Sequence, residues 1–476
     1  MNTAAILGGG VIGGGWAARF LLMGWDVRVF DPDPEAKRKI EAVLANARRS
    51  LPGLYDAALP TEGALSYHDT ISEAVAGASW VQESVPERLE LKQKLYQTAQ
   101  AAMDEGAILA SSTSGFTPTQ LQNCATRPEQ ILVAHPFNPV YLLPLVELVA
   151  SDKNRTLADR AADVLQTLGM FPLKVRGEID AHIADRLLEA VWREALWLVK
   201  DGIATTEEID EAIRMGFGLR WAQMGLFETY RIAGGEAGMA HFLAQFGPAL
   251  KWPWTKLMDV PELTDDLVKM IADQSDAQSG ALSIRQLEAK RDTNLVSILR
   301  ALKAKDAGAG AVLNATDKTL TPAPGPETAP MVTAARAVPL DWTDYNGHMN
   351  EARYVQAFSE ATDRFMEIIG ADAAYVAKGG SYFTVESHVR YLAEANAGDV
   401  ITITTQCLDG AGKKLHLFHN MHRGDTLLAT GEHMLLHVSL QTRRTAPPQS
   451  PVAETLARIA RVHAALAAPE GSGKLG

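Results

Sequence analysis

At 476 residues, with 47% hydrophobic and 21% charged residues, the chain has the length of about three soluble domains of ~150 residues each. A formal net charge of −12 argues against a nucleic-acid or anionic-membrane surface, which needs net basic patches, though not against a small anion held by one arginine or helix N-terminus. Only Cys124 and Cys407 occur, with no CxxC pair, so no structural metal site or disulfide framework is expected and a reducing cytoplasm is.

The N-terminus, MNTAAILGGG, has neither the basic region nor the long apolar stretch of a signal peptide, and no apolar run reaches the ~18 residues of a membrane span. TAAIL (3–7) reads as a strand, followed by glycines and a helix to about Met23. DVRVFD (26–31), SWVQESV (79–85), AILASS (107–112) and ILVAH (131–135) continue the pattern, and strands alternating with helices predict a parallel sheet. From Ile183 long helices take over until about Lys305; in IADRLLEAVWREALWLVK, Leu187, Val191, Ala195 and Val199 form one apolar stripe. TLTPAPGPETAP (319–330) carries four prolines and reads as a semi-rigid linker. After the polar stretch DWTDYNGHMNEARY (341–354), Tyr354, Val355, Phe358, Phe365 and Met366 recur at helical spacing, with Gly370 at the C-cap. YFTVESHVRYL, GDVITITTQCLD, KKLHLFHNMHR and LLATGEHMLLHVSLQ then alternate like antiparallel strands, so a sheet wrapped around one helix is expected.

Two stretches of the first half carry chemistry. Gly8-Gly9-Gly10-Val11-Ile12-Gly13 fits G-x-G-x-x-G between a strand and a helix, and Asp31 ends the next strand. Gly8 permits the tight turn, Gly10 lets backbone approach a pyrophosphate, and Gly13 allows close helix–strand packing; Val11 and Ile12 open the helix whose N–H groups face the phosphates. Asp31 suits ribose hydroxyls and repels a 2′-phosphate, which favours NAD over NADP. Farther on, HPFNP (135–139) precedes Glu147 and follows SSTSG (111–115). Oxidising a secondary alcohol with NAD needs a base for the hydroxyl proton, and a carboxylate on the other ring nitrogen strengthens a histidine in that role. On these residues alone, a structural His and Glu remains the commoner reading.

Together, residues 1 to about 305 resemble the 3-hydroxyacyl-CoA dehydrogenase family, through the glycine loop, VPERLELK (85–92), SSTS, HPFNP with its Val-Glu, and HIADRLLEAVWREAL. The resemblance implies an NAD enzyme with His135 as general base and Glu147 as its partner. It also implies Ser114 on the substrate oxygen, Asn138 beside the substrate, Glu87 and Lys92 bordering the cofactor, and a dimer formed through the helical half. The chain departs from the family where Asn-Arg-Leu is usual: here the stretch reads Asp185-Arg186-Leu187. A carboxylate there suits a cationic substrate. Trp192, seven residues on, shares the helix face, and an aromatic ring holds a quaternary ammonium with about 0.5–2 kcal/mol. Trp192, Trp197, Trp221, Trp252 and Trp254 crowd this region, and core or interface packing is the plainer account of each.

Residues 333–445 resemble the hotdog thioesterase family, through DYNGHMNEARY and VRYLAEANAGDVITI (389–403). Thioester hydrolysis needs a carboxylate or polarised water and donors for the oxyanion. Asp344 is the candidate base or nucleophile; helix N-terminal amides near Asn350 polarise the carbonyl, and Asn346 and His348 position water or thioester. A helix cap explains Asn350 equally well. The order of the two modules is similar to that of carnitine-oxidising dehydrogenases with a fused thioesterase domain. That implies oxidation of a quaternary-ammonium hydroxy acid, carnitine, to 3-dehydrocarnitine and hydrolysis of an acyl-CoA thioester such as betainyl-CoA. A 3-hydroxyacyl-CoA or other 3-hydroxy acid dehydrogenase with a silent dimerisation module stays open. The expected architecture is multidomain: an N-terminal Rossmann-type α/β domain (1–180), an all-α helical substrate and dimerisation domain (181–318), a Pro-rich linker (319–332), a C-terminal α+β hotdog domain (333–465) and a flexible tail (466–476), assembled as a homodimer.

Overall fold

The computed structural model describes residues 2–233, 238–246, 253–256 and 262–475. It splits into two compact units, Met1–Ser50 with Thr61–Thr316 and Leu51–Pro60 with Asp317–Gly476.

The first unit is built on an eight-stranded sheet: β1 (Thr3–Leu7), β2 (Asp26–Phe30), β3 (Leu65–Tyr67), β4 (Trp80–Glu83), β5 (Ile108–Ser111), β6 (Ile131–Pro136), β7 (Leu145–Val149) and β8 (Phe171–Lys174). Their spatial order is β3-β2-β1-β4-β5-β6-β7-β8. Ala4 to Leu7 of β1 and all of β4 are buried, the continuous apolar run of a parallel strand covered on both faces. The sheet is parallel from β3 to β6, but β7 runs antiparallel to β6. The strands read from the sequence are parallel as expected; β7, not among them, joins β6 in the opposite direction. Only the short loop 137–144 joins the two strands, and a parallel pairing needs a crossover of a dozen residues or more. The reversal sets His135 directly across from Glu147.

The helices beyond β8 lie largely as read from the sequence, with two differences. On helix Ala184–Lys200, Leu196 and Val199 are buried whereas Leu187 is exposed, so the apolar stripe is only partly covered within the chain. Helices also run past Lys305: Ala309–Leu320 enters the proline-rich stretch and stops before Pro322, which cannot continue a helix. Trp252 lies outside the described residues.

In the second unit β9 (Met331–Ala337), β10 (Gly380–Tyr391), β11 (Val400–Asp409), β12 (Lys414–Arg423) and β13 (Thr426–Ser439) form an antiparallel sheet in the order β10-β13-β12-β11-β9, and β14 (Arg444–Thr445) pairs with β13. Helix Glu351–Ile368 lays Tyr354, Ala357, Phe358, Ala361 and Phe365 into the core, while Val355 of the expected face stays exposed. Gly370, at φ +85°, closes it: its N–H reaches Glu367 O and that of Ala371 reaches Met366 O. A Cβ on Gly431 of β13 would come within 2.8 Å of the Phe358 ring, so glycine lets this helix lie close on the sheet. Leu51–Pro60 belongs to this unit through Ala58 N–H to Ala335 O (2.6 Å) and the Asp56–Arg336 ion pair (2.7 Å). Near the C-terminus the Gly473 and Lys474 amides donate to Glu432 at 2.9 and 3.0 Å.

Candidate active sites

The glycine loop closes one wall of a cavity of about 970 Å³, lined among others by Gly8, Gly9, Gly10, Asp31, Asp33, Lys39, Ser84, Val85 and Arg88. Gly8 has φ +100°, and a Cβ on Gly13 would lie 1.8 Å from Gly8 O, so neither position takes a side chain. A Cβ on Gly10 would meet open space, the space a pyrophosphate needs. Helix Val11–Leu22 has no side-chain cap at Gly10 and no acidic residue in its first turn, so its amides face an anion uncontested. Asp31 Oδ2 accepts from Gly9 N at 2.5 Å and Oδ1 from Asp33 N at 2.8 Å, which turns its carboxylate along the rim. These residues fit NAD.

His135 lies one residue before the end of β6 and is buried; its Nδ1 meets Glu147 Oε2 at 3.1 Å across the β6–β7 pair. Glu147 is 0% exposed, and its Oε1 accepts from the Ile183 and Ala184 amides at 2.9 and 3.0 Å. Burial alone pushes its carboxyl up; the His135 hydrogen bond, the two amides and the His135 charge outweigh burial and hold it below the usual carboxylate value. The dyad is therefore anchored on the N-terminus of helix Ala184–Lys200, whose first turn also carries Asp185. Asp185 Oδ2 stands 3.5 Å from His135 Nε2, so the departure from the family pattern faces the His135 ring.

The other expected residues fall into two groups. Ser114 is exposed on the loop after β5, and Asn138 is exposed on the loop after β6. Trp192 is exposed on the helix of Asp185. Glu87 accepts from Thr113 Oγ1 and, at 3.3 Å, from Gly115 N, which ties it to the Ser114 loop. Lys92 is buried instead of facing the cavity: its Nζ pairs with Glu83 (2.7 Å) and Glu87 (3.2 Å). Glu83 also takes Tyr96 OH and Ser111 Oγ at 2.6 Å each, a closed polar cluster behind the C-terminal ends of β4 and β5.

His182 is the residue that sequence reading missed as a site element. It is 0% exposed, its ring lies 5.5 Å from that of His135, and its Nε2 meets Thr113 O at 3.1 Å. Burial and the neighbouring His135 lower its pKa, so it is neutral near pH 7. Ala181 and His182 adopt φ +59° and +50°, a left-handed bend that for two non-glycine residues costs about 1–3 kcal/mol each. The bend aims the Ile183 and Ala184 amides at Glu147. Only the presence of His182 in the HIADRL stretch hinted at it.

In the second unit the loop 343–350 is held by its own groups and by the 395–396 segment, through Met349 N–H to Ala395 O (2.7 Å) and a His348–Asn396 bridge. Asp344 Oδ1 accepts from Asn346 N at 2.8 Å, and Asp344 N donates to His348 O at 2.9 Å. Gly347 takes φ +84° in the turn. His348 Nε2 stands 3.3 Å from Glu394 Oε2, a partner the sequence did not suggest. Asn350 caps helix Glu351–Ile368 by accepting from Ala352 N at 3.0 Å. Asp344 and Asn350 thus flank the same helix N-terminus, and Tyr345 beside them is 97% exposed.

Comparison with known proteins agrees over both units. Residues 3–179 match the family model for the 3-hydroxyacyl-CoA dehydrogenase NAD-binding domain, 182–270 that for its C-terminal domain, and 338–456 the thioesterase-like superfamily. A protein of Ruegeria pomeroyi named L-carnitine dehydrogenase/betainyl-CoA thioesterase is 68% identical, with 99% of each chain covered. A protein of the same name from Rhizobium meliloti is 50% identical, with 100% of this chain and 98% of that protein covered. An L-carnitine dehydrogenase of Pseudomonas aeruginosa is 50% identical over 64% of this chain and 94% of its own length. Among solved structures, an NAD+-dependent pyridine-carboxylic acid 5-dehydrogenase is 28% identical with a TM-score of 0.54, covering 64% of this chain and 99% of its own.

Proposed function

The chain belongs to the family of L-carnitine dehydrogenase/betainyl-CoA thioesterases, and from that premise we propose that it oxidises L-carnitine to 3-dehydrocarnitine with NAD and hydrolyses betainyl-CoA to glycine betaine.

The observation that carries the first half is the buried Glu147–His135 pair with Asp185 at the free ring nitrogen. Glu147, ionised and fixed by two amides, accepts from His135 Nδ1 and so leaves Nε2 as the basic nitrogen facing the substrate. Nε2 takes the hydroxyl proton as NAD accepts the hydride from the same carbon. Ser114 bonds the substrate oxygen, and Asn138 on the opposite loop contacts the substrate. Asp185 provides negative charge for a trimethylammonium group, with Trp192 as the aromatic contact. Glu87 holds the Ser114 loop beside the cofactor, and Lys92 supports that wall from behind. NAD reduction rates across 3-hydroxy acids with and without a trimethylammonium group test this half. Faster oxidation of 3-hydroxybutyryl-CoA than of carnitine would sink it.

For the second half, Asp344 serves as base or nucleophile at the N-terminus of helix Glu351–Ile368, whose amides polarise the thioester carbonyl. Asn346 and His348 order water or thioester beside it. Betainyl-CoA hydrolysis by the full chain, compared with its Asp344→Ala variant, separates catalysis from a silent pairing module.

A homodimer fits the apolar residues that the single chain leaves exposed on its helices, among them Leu187, Leu188, Leu219 and Phe227. Light scattering of the purified protein measures it. The free thiols of Cys124 and Cys407 suit a reducing cytoplasm, and among the described residues no helix is long and apolar enough to cross a membrane.

A further inference from the structure

The rim of the cofactor cavity holds a second acidic side chain that the glycine motif does not call for. Asp33 lies two residues past Asp31, with its Oδ1 accepting from Glu35 N at 2.9 Å. Its Oδ2 holds Lys39 Nζ at 2.5 Å. Both Asp33 and Lys39 line the cavity, on the side that carries Asp31. Lys39 feels the Asp31 charge as well, so the three groups are electrostatic neighbours. The next cation along this helix, Arg38, is turned to Glu35 at 2.6 Å and does not line the cavity. An ammonium at this rim is the group that a ribose 2′-phosphate seeks. Here that ammonium is engaged, and the group engaging it is itself an anion.

Building on the NAD dependence of the chain, we propose that the Asp33–Lys39 pair is a second determinant of cofactor choice. Asp31 repels a 2′-phosphate directly. Asp33 adds its own charge and keeps Lys39 from serving as the phosphate's counter-ion. The two effects are coupled. Without Asp31, Lys39 is still tied to Asp33. Without Asp33, Lys39 is released but faces Asp31. Only when both carboxylates are gone does Lys39 stand uncompensated beside the Asp31 position; Arg88 and Lys94 also line the cavity, from the segment after β4. Selection against the phosphate therefore behaves as a cooperative property of three residues and not as a property of Asp31 alone.

Binding of NADH and NADPH to the full chain, followed by nicotinamide fluorescence, tests this, with ADP-ribose and its 2′-phosphate in calorimetry as a readout independent of turnover. The variants are Asp31→Ser, Asp33→Asn, the double variant and the double variant with Lys39→Ala. Asparagine at 33 keeps an oxygen for Glu35 N and removes only the charge. The double variant is expected to tighten NADPH by at least about tenfold more than the product of the two single effects, the lower end for one charge-assisted hydrogen bond. Lys39→Ala is expected to cancel that gain, and salt to weaken it. Additive single effects, or a gain that survives Lys39→Ala, overturn the proposal. Should Asp31→Ser fail to fold, Asp33→Asn alone must still tighten NADPH in low salt and lose that gain with Lys39→Ala. The premise is read separately from the unmodified chain: equal affinity for NADH and NADPH there refutes NAD selectivity itself.

Discussion

His135 and Asp344 both sit where the chain leaves regular structure, but different forces hold them. His135 is buried, its partner comes from an antiparallel neighbour strand, and that partner is fixed by the Ile183 and Ala184 amides, 36 and 37 residues later in sequence. Asp344 bonds to Asn346 and His348, within four residues of itself, and its loop carries a tyrosine that is almost wholly exposed. The dehydrogenase dyad is thus a tertiary object, complete inside one unit. The thioesterase loop is local around Asp344 itself, while His348 and Met349 tie it to Glu394 and Ala395 of the same unit. Mutations in the first should disturb chemistry through its distant supports; a change at Asp344, whose bonds are to Asn346 and His348, should act mainly through that residue.

The largest break in this comparison is expected at His135. His135→Asn removes the base and is expected to lower carnitine oxidation by about three orders of magnitude, within the usual range for general base catalysis, while thioester hydrolysis is retained. Glu147→Gln leaves the shape but exposes the tertiary support: two amide donors and the imidazolium lose their anion, and kcat is expected to fall more than KM rises. Asp344→Ala should remove betainyl-CoA hydrolysis by about two to three orders of magnitude and leave NAD reduction intact. Unchanged hydrolysis in that variant would leave the loop as a structural turn.

The legibility of the two sites follows the same division. Gly8 to Gly13, Asp31 and the loop around Asp344 are local patterns, and each lies where its spacing put it. The pairing of His135 with Glu147 is implied by the family resemblance, whereas the two residues alone leave a structural role as the commoner reading. The supports were not legible. Nothing near Glu147 in sequence announces the Ile183 and Ala184 amides, and nothing about Ala181-His182 signals two left-handed residues, since neither is a glycine. Lys92 is expected to border the cofactor; only the fold shows it buried against Glu83. The reversal of β7 was hidden because an apolar strand carries no mark of its direction.

A smaller effect separates the units by pH. His433 and His419 lie buried under helix Glu351–Ile368, with Thr362 Oγ1 3.4 Å from His433 Nδ1. Burial pushes His433 down from 6.5 to about 4, and burial with the neighbouring His433 lowers His419 well below its usual value. The folded values lie below the unfolded one, so the unfolded chain takes protons first as pH falls. The stability of the second unit is expected to be full above about pH 6.5 and to drop by about 3 kcal/mol toward pH 4 on account of His433. Denaturant titration against pH measures the drop, and His433→Leu, which leaves Thr362 donating to Phe358 O at 2.9 Å, should make it shallower by the His433 share while the His419 share remains.

The finest division lies at Asn350, which caps a helix and borders the thioesterase loop at once. Asn350→Ala is expected to cost about 1 kcal/mol through the lost cap, read as a lower denaturation midpoint of the second unit. Asn350→Asp restores an oxygen to Ala352 N and adds a charge favoured at a helix N-terminus, so stability should recover fully. Hydrolysis decides what else the side chain does. An aspartate cannot donate, and it places a second carboxylate near Asp344 and the forming oxyanion. If Asn350 contacts the thioester, hydrolysis should stay low in Asn350→Asp although the fold is repaired. If both stability and hydrolysis return, Asn350 is a cap alone, and the reactive surface of the loop narrows to Asp344, Asn346 and His348.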